Sequence, residues 1–186
     1  MSAELDKYLD EHPDVRVIGL TANDNLNLKC ECPTCLPLYE KEGAVGLQMD
    51  LANRVARRLK AKHPGVTLYT WAYAATQLPP PTLRPDDNVG IFYAPIRHRA
   101  QPLVAWRDQK DLMQKEFLPW TKITKNIFLW DYARVAFAPS PNFLTMQDNL
   151  RLWREYGVRG AFVEDCEFEM NSLDILKRWG FAKLFW

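Results

Sequence analysis

Five short apolar runs, separated by longer polar or helix-patterned segments, constrain this chain more than any other feature. They are Val15–Leu20, Thr67–Tyr73, Val89–Tyr93, Ile127–Tyr132 and Gly160–Asp165. Runs of this length, rich in β-branched and aromatic residues, read as strands. Between them, helices are expected over residues 2–11, 45–62, 105–122 (interrupted near Pro119), 140–156 and 172–186. In the second of these, Leu47, Leu51, Val55 and Leu59 recur at four-residue spacing and are read as the apolar stripe, while Leu144, Leu150, Leu152 and Trp153 are the candidates in the fourth. Strand–helix alternation predicts a mainly parallel sheet. One connection departs from the pattern: Leu78-Pro79-Pro80-Pro81 leaves little room for a crossover helix before the third strand.

In a parallel α/β sheet the strand C-termini share one face, and functional groups collect there. Here the first run leads to Asn23-Asp24-Asn25, the second ends in Trp71 and Tyr73, and the third in Tyr93. The fourth ends in Trp130-Asp131-Tyr132, and the fifth in Glu164-Asp165. Carboxylates suit acid/base work, and flat rings suit stacking on sugars, so a carbohydrate is the expected ligand.

Composition narrows the classes. With 186 residues, 47% of them hydrophobic, the chain suits a single domain over residues 1–186. A net charge of +1 with interspersed signs argues against a nucleic-acid partner. No run is long enough to cross a bilayer, and no signal peptide is legible at the start. No organic cofactor is expected.

Three of the four cysteines crowd into Cys30-Glu31-Cys32-Pro33-Thr34-Cys35, within a long loop over residues 21–42, and Cys166 follows the last strand. Only Cys32 and Cys35 have the spacing of a zinc knuckle. A structural zinc stapling the loop, with His12, His63, His98 or Cys166 as fourth ligand, stands beside the disulfide and free-thiol readings.

The stretch Gly19-Leu20-Thr21-Ala22-Asn23-Asp24-Asn25, followed by the cysteine cluster, resembles a glycoside-hydrolase-like family, domain of unknown function 4838. Leu129-Trp130-Asp131-Tyr132 and the closing Phe181–Trp186 agree with it, as does the order of elements, over nearly the whole chain. The resemblance implies kinship with TIM-barrel α-glucuronidases and β-hexosaminidases, and with bacterial-type polysaccharide utilisation, in a family that often looks secreted or periplasmic. It implies an α/β fold: a partial TIM (β/α) barrel of about five parallel strands with helices outside, the second part of an eight-stranded barrel. The missing N-terminal strands, or a second copy of the chain, are then expected partners at the open sheet edges.

On this footing Asp24, Asp131 and Glu164 are the candidate catalytic residues. Asp24 stands where the related α-glucuronidases carry a general-acid Glu, and its alternative is an Asx turn. Asp131, flanked by rings, suits a raised pKa; its alternative is a cap or an ion pair with Arg134. For Glu164 the alternative is a structural salt bridge. Asn23, Asn25, Trp71, Tyr73, Tyr93, Trp130 and Tyr132 are candidate substrate contacts. His98, between two arginines, is a further one, with a solvated basic loop as its alternative. The competing function is a non-catalytic carbohydrate-binding or scaffold domain.

Overall fold

A computed structural model describes residues 2–22, 29–96, 104–132, 143–164 and 172–184. Its elements run in chain order as α1 (Ser2–Glu11), β1 (Val17–Gly19), α2 (Leu36–Lys62), β2 (Thr67–Tyr73), β3 (Val89–Ala94), α3 (Leu118–Ile123), β4 (Ile127–Tyr132), α4 (Phe143–Glu155), β5 (Gly160–Glu164) and α5 (Ser172–Leu184). The strands form one sheet in the order β1-β2-β3-β4-β5. A sheet that never reverses strand order has the topology of a barrel segment rather than of a doubly wound fold. The expected α/β partial barrel is therefore observed. No described helix is long and apolar enough to cross a membrane.

The chain divides into two compact units, Met1–Phe92 and Tyr93–Trp186. In the first, β1 and β2 pair in parallel, Val17 opposite Thr67 and Gly19 opposite Tyr69. Helix α2 covers one face of β2: the Gln48 amide donates to Thr70 Oγ1 (2.6 Å) and to the Trp71 carbonyl (2.7 Å). The residues it buries are Val45, Met49, Ala52, Ala56 and Leu59, whereas Leu51 is exposed. The expected Leu47–Leu51–Val55–Leu59 stripe is thus corrected. At 3.6 residues per turn, steps of four drift by about 40° each, while alternating steps of four and three keep to one side.

Helix α2 also begins earlier than residue 45, at Leu36, so the last third of the expected loop, residues 36–42, is helical. Pro37 suits the first turn, and a break at Gly43 (φ 74°) reorients the chain before the main helix.

The connection from β2 to β3 holds no crossover helix, in line with its prolines. Side chains of α2 hold it instead. Glu42, nearly fully buried, accepts from the Thr82 hydroxyl and backbone N–H (2.9 Å) and from the Leu83 N–H (3.1 Å). Burial alone would raise the Glu42 pKa, but these donors favour the carboxylate and bring it down to about 2. Asn53 donates to the Arg84 carbonyl (2.8 Å) and accepts from the Asp86 N–H (2.9 Å).

In the second unit, β4 and β5 pair in parallel, Trp130 opposite Phe162 and Tyr132 opposite Glu164. The helix expected over residues 105–122 is broken into a 3-10 turn at Trp106–Asp108, a π-helical stretch at Leu112–Phe117 and α3. Pro119 lacks the N–H that a continuous α-helix would use, which accounts for the wider turn before it. Tyr93, Trp106 and Phe117 pack as mutual ring contacts 5.5–6.1 Å apart. Met146 of α4 and Phe181 of α5 form a second apolar cluster, against which Val163 of β5 packs. Leu144, expected in the core, is 90% exposed, and the α4 core positions are Met146, Leu152 and Trp153.

Candidate functional site

Strand alternation sorts the candidates onto two faces of the sheet. Along β4, Ile127, Leu129 and Asp131 are buried, while Phe128, Trp130 and Tyr132 are half-buried. Asp131 stands opposite Val163, which packs on Met146 and Phe181. That face is therefore the one covered by α4 and α5.

Asp131 is 8% exposed. Its burial pushes the carboxyl up to about 6, against the pull of the Tyr132 backbone N–H, the Trp106 indole and the charge of Lys177. Lys177, on α5, is itself fully buried. The raised pKa expected from the flanking rings of Trp130 and Tyr132 has a different origin, since those rings lie on the opposite face.

The other face of β4 and β5 carries an aromatic surface with one carboxylate. Trp130 and Phe162 lie with ring centroids 4.2 Å apart. The Trp130 indole N–H donates to Glu164 at 2.7 Å. Tyr132 faces Glu164 in the strand register. Phe162 remains 47% exposed. A Cβ at Gly160 would stand 2.7 Å from the Phe128 ring, so glycine there admits that ring between the strands. Among the described residues of this face, Glu164 is the one acid.

The first unit presents a comparable surface on the face of β2 opposite α2. Tyr69, Trp71 and Tyr73 alternate along that face, and Phe92 of β3 contacts Trp71 (5.1 Å) and Tyr69 (6.2 Å). Trp71 and Tyr73 contact each other at 6.3 Å and stay half-buried, as stacking on a ligand requires. Gly90 again makes room: a Cβ there would meet the Tyr69 ring at 2.2 Å.

Tyr93 is corrected as a sugar platform. It is 0% exposed and its hydroxyl donates to Glu116 at 3.0 Å, so no ring face is free. Its position one residue past Phe92 puts it on the helix-covered side by the same alternation. Asn23, Asp24, Asn25 and His98, together with Arg134 and Cys166, lie outside the described residues.

A cleft of about 380 Å³, lined by His12, Arg16 and His63 among others, opens beside Val15, Arg16, Pro64, Gly65 and Val66. These residues lead into β1 and β2, so the cleft lies at the N-terminal ends of those two strands.

The cysteine cluster is assembled locally. The sulfurs of Cys30, Cys32 and Cys35 all lie within 4.8 Å of one another, as free thiols, and are placed to hold a metal ion. A turn ending in α2 brings the last two together: the N–H groups of Cys35 and Leu36 donate to the Cys32 carbonyl at 3.1 and 3.0 Å. The Cys35 N–H and the neighbouring thiols lower the Cys32 pKa to about 7, while hydrogen bonding to Cys32 and Cys30 raises that of Cys35 to about 11. Of the proposed fourth ligands, His63 sits beside Asp6 (3.7 Å) and His12 against the Tyr8 ring (4.5 Å), and neither joins the cluster.

Sequence reasoning missed Lys177, Phe162 and Glu42. Lysine and glutamate are rarely fully buried, and no local signal marks these two. Phe162 was legible, being two residues before Glu164 and so on the same strand face.

The model of one family, described as Domain of unknown function (DUF4838), matches residues 1–186. No curated protein matches the chain. No solved structure matches it.

Proposed function

The chain belongs to the DUF4838 family, and from that premise we propose that it carries part of a carbohydrate-active site of the glycoside hydrolase type. The observation that carries this reading is the Trp130–Glu164 hydrogen bond beside Tyr132 and Phe162, at the C-terminal ends of two parallel strands. Sugar rings stack on exposed aromatic faces through their C–H surfaces, and a carboxylate at such a platform is placed to exchange a proton with a glycosidic oxygen. Trp71 and Tyr73 form the corresponding platform in the first unit.

In this reading Glu164 is the acid/base group. Asp131 is not its partner: the two project from opposite faces of the β4–β5 pair. Hydrolysis needs a second carboxylate, about 5–10 Å from the first. Asp24 is the candidate that the sequence supplies. The second reading, carbohydrate binding without catalysis, is favoured by the single acid on the described face. Among the described residues β1 and β5 are the end strands of the sheet, and their outer edges suit the missing strands of a full barrel or a second copy of the chain. For the cysteine triad we propose zinc, whose preference for tetrahedral thiolate coordination fits the cluster.

Both readings are tested by titrating the chain with a panel of neutral and acidic oligosaccharides, followed by tryptophan fluorescence, alongside hydrolysis of chromogenic glycosides. Glu164→Gln keeps an acceptor for Trp130 and removes the titratable group. The enzyme reading expects binding to persist and hydrolysis to fall by at least about 10²-fold. Binding with no hydrolysis in the parent chain selects the binding domain. Neither binding nor hydrolysis across the panel removes the carbohydrate reading.

A further inference from the structure

We infer that the Cys30–Cys32–Cys35 triad is an open metal site: three thiolates from the protein and a fourth coordination position left to a small ligand from solution. This inference rests on the zinc reading of the triad and goes beyond a structural staple, which would be closed by four protein ligands.

The geometry is close to what a tetrahedral ion needs. Zinc–sulfur bonds of about 2.3 Å give sulfur–sulfur edges of about 3.8 Å. The three sulfurs lie within 4.8 Å of one another, so drawing them onto an ion takes movements of about an ångström or less. Two of the ligands are held by backbone. Cys32 and Cys35 bracket a turn closed by two N–H groups on the Cys32 carbonyl, and the Tyr39 N–H donates to the Cys35 carbonyl (2.9 Å) in the first turn of α2.

Among the described residues no histidine or carboxylate joins the three sulfurs. Glu31, the acid between two of the ligands, is paired with Lys29 at 3.0 Å. Cys30 and Cys32 are exposed and Cys35 is half-buried, so solvent reaches the cluster. Three protein ligands plus an accessible position is the pattern of zinc sites that exchange a ligand. A borderline-soft ion held by three thiolates favours a neutral nitrogen donor or another thiolate at the fourth position. Loading the ion displaces the thiol protons into solvent, leaving each sulfur as a thiolate donor.

Cobalt(II) tests this on the reduced chain, because its visible ligand-field and thiolate charge-transfer bands report both geometry and ligand identity. One equivalent of cobalt should give tetrahedral thiolate bands that zinc bleaches. Added imidazole or 2-mercaptoethanol should then shift those bands saturably. Cys32→Ser, checked for folding by circular dichroism, should lose them. Bands that form but ignore both additives would overturn the open site while leaving the zinc reading intact. So would bands altered by Cys166→Ser or His98→Ala, which would identify a fourth protein ligand. No bands, together with no zinc taken up by the parent chain, would remove the zinc reading and this inference with it.

Discussion

The indole nitrogen of Trp130 donates a 2.7 Å hydrogen bond to Glu164, which lies two residues beyond the strand partner that Trp130 faces. The bond fixes a carboxylate at the edge of a ring surface. Two neighbouring parallel strands with the same alternation phase are sufficient to build it.

A double-mutant cycle measures that bond. Trp130→Phe keeps an aromatic ring and removes the donor, and Glu164→Ala removes the acceptor. The coupling energy should be about 1–2 kcal/mol, the low end of the range for hydrogen bonds to a charged group, because Glu164 is only half-buried. Urea denaturation of the four proteins reads it, and additive effects of the two substitutions would show that the bond contributes nothing.

Asp131 makes stability pH-dependent with an uncommon sign. Its carboxyl is raised from 3.8 to about 6 in the fold, so the folded chain holds the proton more tightly than the unfolded one. Stability from this group is present below about pH 4, declines as pH rises to about 6 and then levels. At about 1.4 kcal/mol per unit the span is at most about 3 kcal/mol. Asp131→Asn should flatten this decline, and melting temperatures recorded from pH 4 to 7 would expose a slope that persists.

Glu42 acts in the opposite direction. Its carboxyl is lowered from 4.5 to about 2, so its contribution is present above about pH 4.5 and is lost as pH falls toward 2. Glu42→Gln keeps one acceptor oxygen for the Thr82 and Leu83 N–H groups but replaces the other, which accepts from the Thr82 hydroxyl, and removes the charge that all three donors stabilise. It should destabilise the chain by about 1–3 kcal/mol at pH 7. The variant should also lose stability less steeply in acid than the parent. Chemical denaturation at pH 7 and pH 3 checks both, and equal losses at the two pH values would contradict the assignment.

Element order was largely legible in the sequence, because strands and helices announce themselves through short β-branched runs and periodic apolar positions. The proline-rich connection without a crossover helix was legible for the same local reason. Harder to read was what each element packs against. On α2 the four-residue row through Leu51 looks as apolar as the row through Met49 and Ala52, and only contact with β2 distinguishes them. On α5, Lys177 is buried while Ile175, Leu176 and Trp179 are exposed, an inversion that no hydropathy pattern foretells. The candidate site was partly legible: Trp130, Tyr132 and Glu164 share a face, whereas Asp131 and Tyr93 do not present themselves on it.

By itself the sequence determined that Asp131 and its neighbours Trp130 and Tyr132 point to opposite sides of a strand, because extended backbone alternates with a period of two. It also determined that Cys32 and Cys35 share one turn. Tertiary structure alone decided which side of β4 is sealed by α4 and α5 and which side carries the rings. Period-two geometry separates the two faces without saying which is buried. That choice is made by the apolar surface that the helices bring to the sheet, and it leaves Asp131 among Trp106 and Lys177 and Glu164 beside Trp130.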